Sequence, residues 1–204
     1  MLQNYSRYRL LEEFFDFSSK DFLIRELSRR IGLAQPSIVN HLDDLLKEGL
    51  IIKEKKWVYP TFRANRDGEM FRFLKKLDSI LRIKTSGLLD HIYDSCFPTV
   101  IILFGSASRG EDIEGSDIDL YAQSSAKPLK LDKFEHLLNR KISVFFEENF
   151  LKLSGELKNN ILNGTVLKGY VEVYGADKGH TGQKQGAQHS PNGIPAKGKN
   201  RDAK

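Results

Sequence analysis

The residues best suited to chemistry lie in one short segment in the second half of the chain. Gly105 and Ser106 follow directly after the apolar run Val100–Phe104, and Asp117 and Asp119 stand two positions apart just beyond. A glycine and a serine after a buried strand allow close backbone approach and offer N–H groups and a hydroxyl to an anion. Two adjacent carboxylates repel each other, and a divalent cation such as Mg²⁺ relieves that repulsion. An anion cradle followed by a carboxylate pair predicts binding of a magnesium–nucleoside triphosphate.

Two strands must position these side chains. The continuous apolar run Val100–Phe104 is typical of a strand that is buried on both faces. Ser116–Leu120 is predicted to be the next strand, and its period of two places Asp117 and Asp119 on one face. The pair is therefore expected to share one cation.

Three motifs carry a family resemblance: Gly105-Ser106, Ser108-Arg109-Gly110 and Ser116-Asp117-Ile118-Asp119-Leu120. They resemble the signature of the polymerase-beta-type nucleotidyltransferase superfamily, in particular its minimal nucleotidyltransferases, and the resemblance extends over about 85–170. It implies an α+β domain with a mixed β-sheet flanked by helices. It also implies catalytic and metal-binding roles for Asp117 and Asp119, and nucleotide contacts from Gly105, Ser106, Arg109 and Ser116. The expected ligands are Mg²⁺ and a nucleoside triphosphate, with ATP as the first candidate.

The chain departs from this family at one position. Active members place a third carboxylate on a neighbouring strand, where this chain has Ser143. Serine is a poor base and a weak metal ligand, and Glu147 lies about 13 Å further along a regular strand. Only a bulge or a different alignment would bring Glu147 to the site. The nearby acids Glu111, Asp112 and Glu114 are expected in a solvated loop, and Arg109 has two open roles, a phosphate contact or an ion pair with Glu111 or Asp112.

The N-terminal segment predicts three helices and a hairpin. Helical periodicity indicates helices over Tyr5–Phe17, Phe22–Ile31 and Gln35–Glu48. Alternation then indicates strands over Leu50–Lys53 and Trp57–Phe62, joined by a charged turn. The segments 24–33, 37–45 and 48–51 resemble the small winged-helix repressors, so a winged helix-turn-helix is expected before the nucleotidyltransferase-like domain.

In a winged helix the third helix enters the major groove of DNA. Its outward polar residues here are Gln35, Ser37, Asn40 and His41, and the hairpin offers Lys53, Lys55 and Lys56 to phosphates. Two interpretations stay open, because winged helices also serve as protein-interaction or dimerisation modules. Asp43 and Asp44 favour the second interpretation, since they would repel a phosphate backbone.

Charge and composition divide the chain into three parts: a winged helix over 1–66, a connector helix and nucleotidyltransferase-like domain over 67–175, and a basic tail over 176–204. Their net charges are +3, −2 and +4. The tail has one large aliphatic residue, Ile194, so it is expected to be disordered. The chain has no apolar run of about 20 residues, no secretory apolar core at its start and one cysteine, Cys96. A cytoplasmic protein without a membrane partner is expected.

Two functions follow from these expectations. The first is an enzyme that binds DNA and transfers a nucleoside monophosphate from the magnesium triphosphate to a hydroxyl acceptor. The second is a nucleotide-sensing transcriptional regulator, or an antitoxin-like protein that binds a partner, in which catalysis is impaired because Ser143 replaces the third acid. The family resemblance suggests a toxin-like protein partner, and a homodimer is the prior for a winged helix.

Overall fold

A computed structural model describes residues 5–56 and 58–171. Three helices open the chain as the periodicity predicts: α1 (Ser6–Asp16), α2 (Ile24–Ile31) and α3 (Gln35–Lys47). Gly32 ends α2 in the left-handed conformation, with φ of 75°, and so lets the chain turn sharply into α3. Apolar residues at helical spacing on all three helices meet in one core.

A two-stranded hairpin follows, formed by β1 (Ile51–Lys56) and β2 (Tyr59–Ala64). The prediction of a turn over residues 53–56 was wrong, because this charged run forms the second half of β1. Glu54 and Arg63 are diagonal neighbours across the hairpin, and their side chains pair at 2.7 Å, which helps a charged segment adopt a strand. The predicted strand start at Trp57 lies outside the described residues.

The N-terminal core joins these elements. Phe22 exchanges two backbone hydrogen bonds with Phe62, which ties the hairpin to the residues before α2. The buried side chains come from all three helices, the hairpin and the start of the next helix: Leu10, Leu11, Phe14, Phe15, Phe22, Leu27, Ile31, Ile38, Leu42, Leu45, Leu50, Ile51, Phe62, Ala64 and Phe71. This core supports the surface formed by α3 and the hairpin.

Two further helices, α4 (Glu69–Thr85) and α5 (Leu88–Cys96), lead to the second half of the chain. Gly87 lies in the break between them and takes the left-handed conformation, with φ of 80°. The helix α4 serves both halves. Its Phe71 belongs to the N-terminal core, whereas Ile83 belongs to the core under the sheet.

The second half contains a four-stranded mixed sheet, flanked by α6 (Asp132–Leu138) and α7 (Gly155–Leu162). Its strands are β3 (Val100–Phe104), β4 (Ile118–Ala122), β5 (Ile142–Phe146) and β6 (Thr165–Gly169), in the spatial order β5-β4-β3-β6. The pair β4–β5 is parallel, and the other two pairs are antiparallel. The described part of the chain is therefore a mixed α+β protein with seven α-helices, as the sequence led us to expect at this coarse level.

The two faces of the sheet have different surroundings. Ile101, Leu103 and Leu120 belong to a large core with buried residues of α5 and α6. Val100, Ile102 and Tyr121 point to the opposite face, where Phe150 and Ile161 form a smaller core with them. Strand β3 is thus buried on both faces, as its continuous apolar run predicts. The side chain of Asp119 shares the face of Tyr121, because the two residues are two positions apart on β4.

The predicted domain boundary at 66/67 falls between β2 and α4. The described residues on both sides of it belong to one compact unit. The predicted tail, 176–204, lies outside the described residues. None of the helices within the described ranges is long and apolar enough to cross a membrane.

Candidate functional site

The closest contact in the candidate site is between Gly105 and the side chain of Asp119. Gly105 follows β3 with φ of 71°, a left-handed conformation that disfavours any side chain. A methyl group on its Cα would overlap Oδ2 of Asp119, so the carboxylate lies directly against the glycine. A short 3₁₀ turn, Ala107–Arg109, follows, and Ser108 Oγ donates a hydrogen bond to the Gly105 carbonyl at 2.8 Å. The structure therefore brings together the two motifs that the sequence separates.

Asp117 and Asp119 form a pair of carboxylates at the beginning of β4. Asp117 is exposed and Asp119 is half-buried. Burial, and next the charge of Asp117, raise the pKa of the Asp119 carboxyl. Among the described residues no lysine, arginine or histidine forms an ion pair with either carboxylate. The pair therefore has the unbalanced negative charge and the oxygen donors that a divalent cation would need.

Ser143 lies beside Asp119. The parallel pair β4–β5 aligns Asp119 with Ser143 and continues without interruption to Ala122 and Phe146. This register has no bulge, so Glu147 stays at the far end of β5, where its carboxylate accepts a hydrogen bond from the Asn149 N–H at 2.9 Å. The strand position next to Asp119 thus has an exposed hydroxyl instead of an acid. No group of three His, Cys, Asp or Glu side chains in the described ranges could hold a metal ion.

Two of the predicted nucleotide contacts have polar partners within their own loop. Arg109 Nε lies 2.7 Å from Glu111 Oε2, which is one of the two roles that the sequence left open. Ser116 Oγ accepts a hydrogen bond from the Ile113 N–H at 3.0 Å and so stabilises the turn before β4. Ser106 is partly exposed at the start of the 3₁₀ turn, and its carbonyl accepts from the backbone of Arg109.

A buried charge cluster anchors the loop between the two motifs, and the sequence analysis missed it. The expectation that Asp112 is solvated was wrong: its residue is 1% exposed, and its carboxylate contacts both Lys75 and Arg140. Lys75 is 2% exposed, and burial lowers the pKa of its ammonium group while Asp112 opposes that shift. Both Lys75 Nζ and Ser18 Oγ also donate to the Asp112 carbonyl.

One signal for this cluster exists in the sequence. Lys75 and Asp78 occupy helical spacing with Phe71, which places all three on the buried face of α4. A lysine and an aspartate on an apolar helix face need buried partners. The partner of Lys75 is 37 residues away along the chain, so the sequence pattern alone does not identify it.

The predicted DNA-contacting residues lie on α3 and β1, and most of them are exposed. Gln35, Ser37 and Asn40 are exposed on α3, as expected. His41 is half-buried and lines a groove against α1 instead. Lys53 and Lys55 are exposed on β1. The side chain of Lys56 is not among those that the structure describes.

The acidic residues on α3 have different environments. Asp44 forms ion pairs with Arg7 and Lys47, at 4.0 and 3.6 Å, so part of its charge is balanced within the chain. Asp43 is exposed next to Asn40. Within the described ranges Asp44 thus has ion-pair partners and Asp43 has none, which reduces the repulsion expected from this pair.

Comparison of the chain with models of protein families, with curated proteins and with solved structures gave no match.

Proposed function

We propose that this chain is a DNA-binding winged-helix protein whose nucleotidyltransferase-like domain binds a magnesium–nucleoside triphosphate as a regulatory ligand. The observation that carries the proposal is the carboxylate pair Asp117 and Asp119: Asp119 lies against Gly105, and neither carboxylate forms an ion pair with a described basic residue. Such a pair is stabilised by a bound cation, and the adjacent backbone turn offers an anion site next to it.

Each residue of the site has a role in this proposal. Asp117 and Asp119 would hold the Mg²⁺ ion through carboxylate oxygens. Gly105 allows the phosphates to approach the backbone closely, because it has no side chain. The Ser106 hydroxyl would donate a hydrogen bond to a phosphate oxygen. When bound, Mg²⁺ neutralises charge on both the carboxylates and the triphosphate.

The serine at position 143 is the reason why we favour nucleotide binding over nucleoside monophosphate transfer. In an uninterrupted register it lies beside Asp119. The nucleotidyltransferases that the motifs resemble have their third acid at the strand position that we assign to Ser143. A hydroxyl neither removes a proton efficiently nor adds negative charge for a second metal ion. We therefore propose that nucleotide binding persists and that transfer is slow or absent. A second candidate, transfer of a nucleoside monophosphate to a hydroxyl acceptor, is supported by the conjunction of Gly105, Asp117 and Asp119.

The first experiment measures magnesium-dependent binding of ATP and GTP by calorimetry, followed by pyrophosphate release. We expect the wild type to bind, and Asp117→Ala/Asp119→Ala to lose binding. The control is Asp94→Ala/Glu148→Ala, which removes the same charge from exposed positions in the same half of the chain. If the double aspartate variant binds as tightly as the wild type, the proposed site is wrong.

The variant Ser143→Asp separates the two candidate functions. We expect it to bind Mg²⁺ more tightly than the wild type does and to increase pyrophosphate release by about 10²-fold, the scale of a single general base. A wild type that already releases pyrophosphate as fast as Ser143→Asp would support the transferase instead.

The DNA-binding part is tested by selection from random duplexes, followed by titration at several salt concentrations. Lys53→Ala/Lys55→Ala should weaken binding to all sequences and reduce the salt slope by about 2. Gln35→Ala/Asn40→Ala should instead relax sequence preference. Lys130→Ala/Lys133→Ala, two exposed lysines of the other half, is the control for total charge. A failure of the wild type to select any sequence would favour a protein-interaction role for the winged helix.

A further inference from the structure

A polar cleft beside the hairpin is not used by the functions above. It has a volume of about 310 Å³ and lies between the turn after α1, the base of the hairpin and the beginning of α4. Three arginines line it, Arg63, Arg66 and Arg72, whereas the acids among its described lining residues are Asp67 and Glu111. The lining therefore has an excess of positive charge. Guanidinium groups gathered in one cleft repel each other, and a bound anion relieves that repulsion.

The guanidinium group of Arg72 is fixed in direction and still has donors to offer. Its Nε donates a hydrogen bond to the Arg66 carbonyl at 2.7 Å, which orients the planar group. Its terminal nitrogens lie 3.6 Å from Asp67 and 3.8 Å from Glu111, beyond the distance of a good hydrogen bond. The Asp67 side chain is fully exposed, so water screens its attraction for Arg72. The terminal N–H groups of Arg72 therefore form a fork that an oxyanion can occupy.

Two further residues add donors to the cleft. Arg66 is exposed, and within the described ranges no carboxylate forms an ion pair with it. Ser19 is exposed as well, and its backbone N–H donates to Glu114 Oε1 at 3.0 Å, while its hydroxyl has no hydrogen-bond partner among the described residues. Arg63 instead pairs with Glu54 at 2.7 Å and forms part of the wall. The cleft thus offers two guanidinium groups and a hydroxyl to one ligand.

We propose that this cleft binds a phosphate group, with Arg66 and Arg72 as its principal contacts and the Ser19 hydroxyl as a further donor. Arginine binds phosphate through two parallel N–H···O bonds, and the negative charge of a phosphate balances the excess charge of the lining. The volume lies at the lower end of the ~300–1,000 Å³ range of small-molecule sites, so a small organic group attached to the phosphate also fits. The source of the phosphate is a phosphorylated small molecule or the backbone of DNA bound beside the hairpin.

Glu111 connects the cleft with the loop of the candidate nucleotide site. Its carboxylate lies 2.7 Å from Arg109 and 3.8 Å from Arg72, so a phosphate bound to Arg72 competes only with the longer of two ion pairs. The arginines of the cleft and the carboxylate pair at the beginning of β4 are separate sets of side chains. Each site can therefore be removed while the other is kept.

The first test is a titration of the full chain with inorganic phosphate, followed through the Nε–Hε resonances of its arginines in NMR spectra. Sodium chloride at equal ionic strength is the reference. We expect saturable shifts for Arg66 and Arg72, and about tenfold weaker binding in Arg72→Lys, which keeps the charge but removes the fork. Arg66→Ala/Arg72→Ala should lose binding. Its matched control is Arg25→Ala/Arg29→Ala, which removes the same charge from exposed positions on α2 and should bind as the wild type does. Shifts that do not saturate, or equal binding in the two double variants, would overturn the proposal.

Two further variants test for a gain of binding and for independence from the nucleotide site. Glu111→Gln removes the acid that competes for Arg72, so phosphate should bind about threefold more tightly, an effect that a folding defect cannot produce. Asp117→Ala/Asp119→Ala should bind inorganic phosphate as the wild type does, even where magnesium–nucleotide binding is lost. Loss of phosphate binding in that variant would assign the anion to the nucleotide site and contradict the cleft proposal.

A random-sequence DNA duplex distinguishes the two sources of the phosphate group. If the DNA backbone supplies it, Arg66→Ala/Arg72→Ala should reduce the slope of log affinity against log salt concentration by about 2. If a small molecule supplies it, the slope should equal that of the wild type while binding of inorganic phosphate is lost. Only this arm depends on the proposed DNA binding. A double arginine variant that changes neither measurement would overturn the proposal.

Discussion

Asp112 lies within eight residues of Asp117 and Asp119, yet these carboxylates differ in burial and in their charged neighbours. The Asp112 carboxylate is fully buried and contacts both Lys75 and Arg140. Asp117 and Asp119 are partly exposed, and no described basic residue pairs with them. A buried carboxylate with protein cations contributes to the fold, whereas a carboxylate pair without them carries charge that a ligand can balance. Similar residues in one short segment thus have a structural role in one place and, in the function we propose, a binding role in the other.

The largest effect should come from breaking the buried cluster. Asp112→Ala leaves Lys75 buried without its carboxylate, and removing one partner of a buried ion pair costs about 3–5 kcal/mol of unfolding free energy. Denaturant unfolding would measure this loss. The double variant Lys75→Met/Asp112→Leu should recover only part of it, because the buried Lys75 charge is removed but Arg140 still lacks its carboxylate partner. Wild-type stability in Asp112→Ala would show that the two acidic groups do not differ as we describe.

The next effect concerns binding and should leave stability intact. Asp117→Asn/Asp119→Asn removes two negative charges that repel each other, so the unfolding free energy should stay the same or increase. Binding of the magnesium–nucleotide should weaken by at least ~100-fold, a loss of about 2.7 kcal/mol. Calorimetry and denaturation on the same sample would check both statements. A loss of stability similar to that of Asp112→Ala would remove the contrast.

A substitution at Gly105 tests the same comparison through the backbone next to Asp119. Gly105→Ala places a methyl group against Oδ2 of Asp119 in a left-handed conformation, which costs about 1–2 kcal/mol for a residue with a side chain. We expect this loss in unfolding free energy together with weaker nucleotide binding. Gly115→Ala is the control, because Gly115 also has a positive φ, of 79°, but has open space around its Cα. Equal loss of nucleotide binding in both variants would argue against a specific contact with Asp119.

The smallest effect is a pH dependence. The pKa of Asp119 is raised in the folded protein by burial and by Asp117, so the folded state holds this proton to a higher pH than the unfolded chain does. Stability should therefore decrease as pH rises from the ordinary range of an aspartate to the raised pKa, and Asp119→Asn should lack that decrease. Magnesium-dependent nucleotide binding should strengthen over the same interval, because protons compete with the cation. Parallel stability profiles for the two proteins would contradict this assignment.

The local pattern of apolar residues in the sequence was sufficient to predict many of the helices and strands. Helical periodicity located α1 to α3 to within two residues at their ends, and the apolar run Val100–Phe104 identified β3. These features depend on neighbours within a few residues, and sequence spacing reports such neighbours directly. The position of Ser143 beside Asp119 was instead expected from the family resemblance, and the register of β4 and β5 agrees with it.

Long-range pairing explains what the sequence did not reveal. The burial of Asp112 depends on Lys75 and Arg140, which come from α4 and from the residues after α6. The end of β1 was misplaced because its charged residues resemble a turn, and the cross-strand partner Arg63 becomes visible only once the hairpin register is known. The half-burial of His41 likewise depends on α1.

The continuity of α4 has a consequence for how the chain unfolds. One uninterrupted helix contributes Phe71 to the N-terminal core and Ile83 to the core beneath the sheet. Neither core can lose its packing without exposing part of the same helix, and the middle of that helix contains Lys75, which is bonded to the loop before β4. Cooperativity should therefore extend across both halves, so that heating melts the described region in a single transition with equal calorimetric and van 't Hoff enthalpies. Because α4 belongs to both cores, local opening at one end of the helix should also increase the rate of amide exchange at its other end.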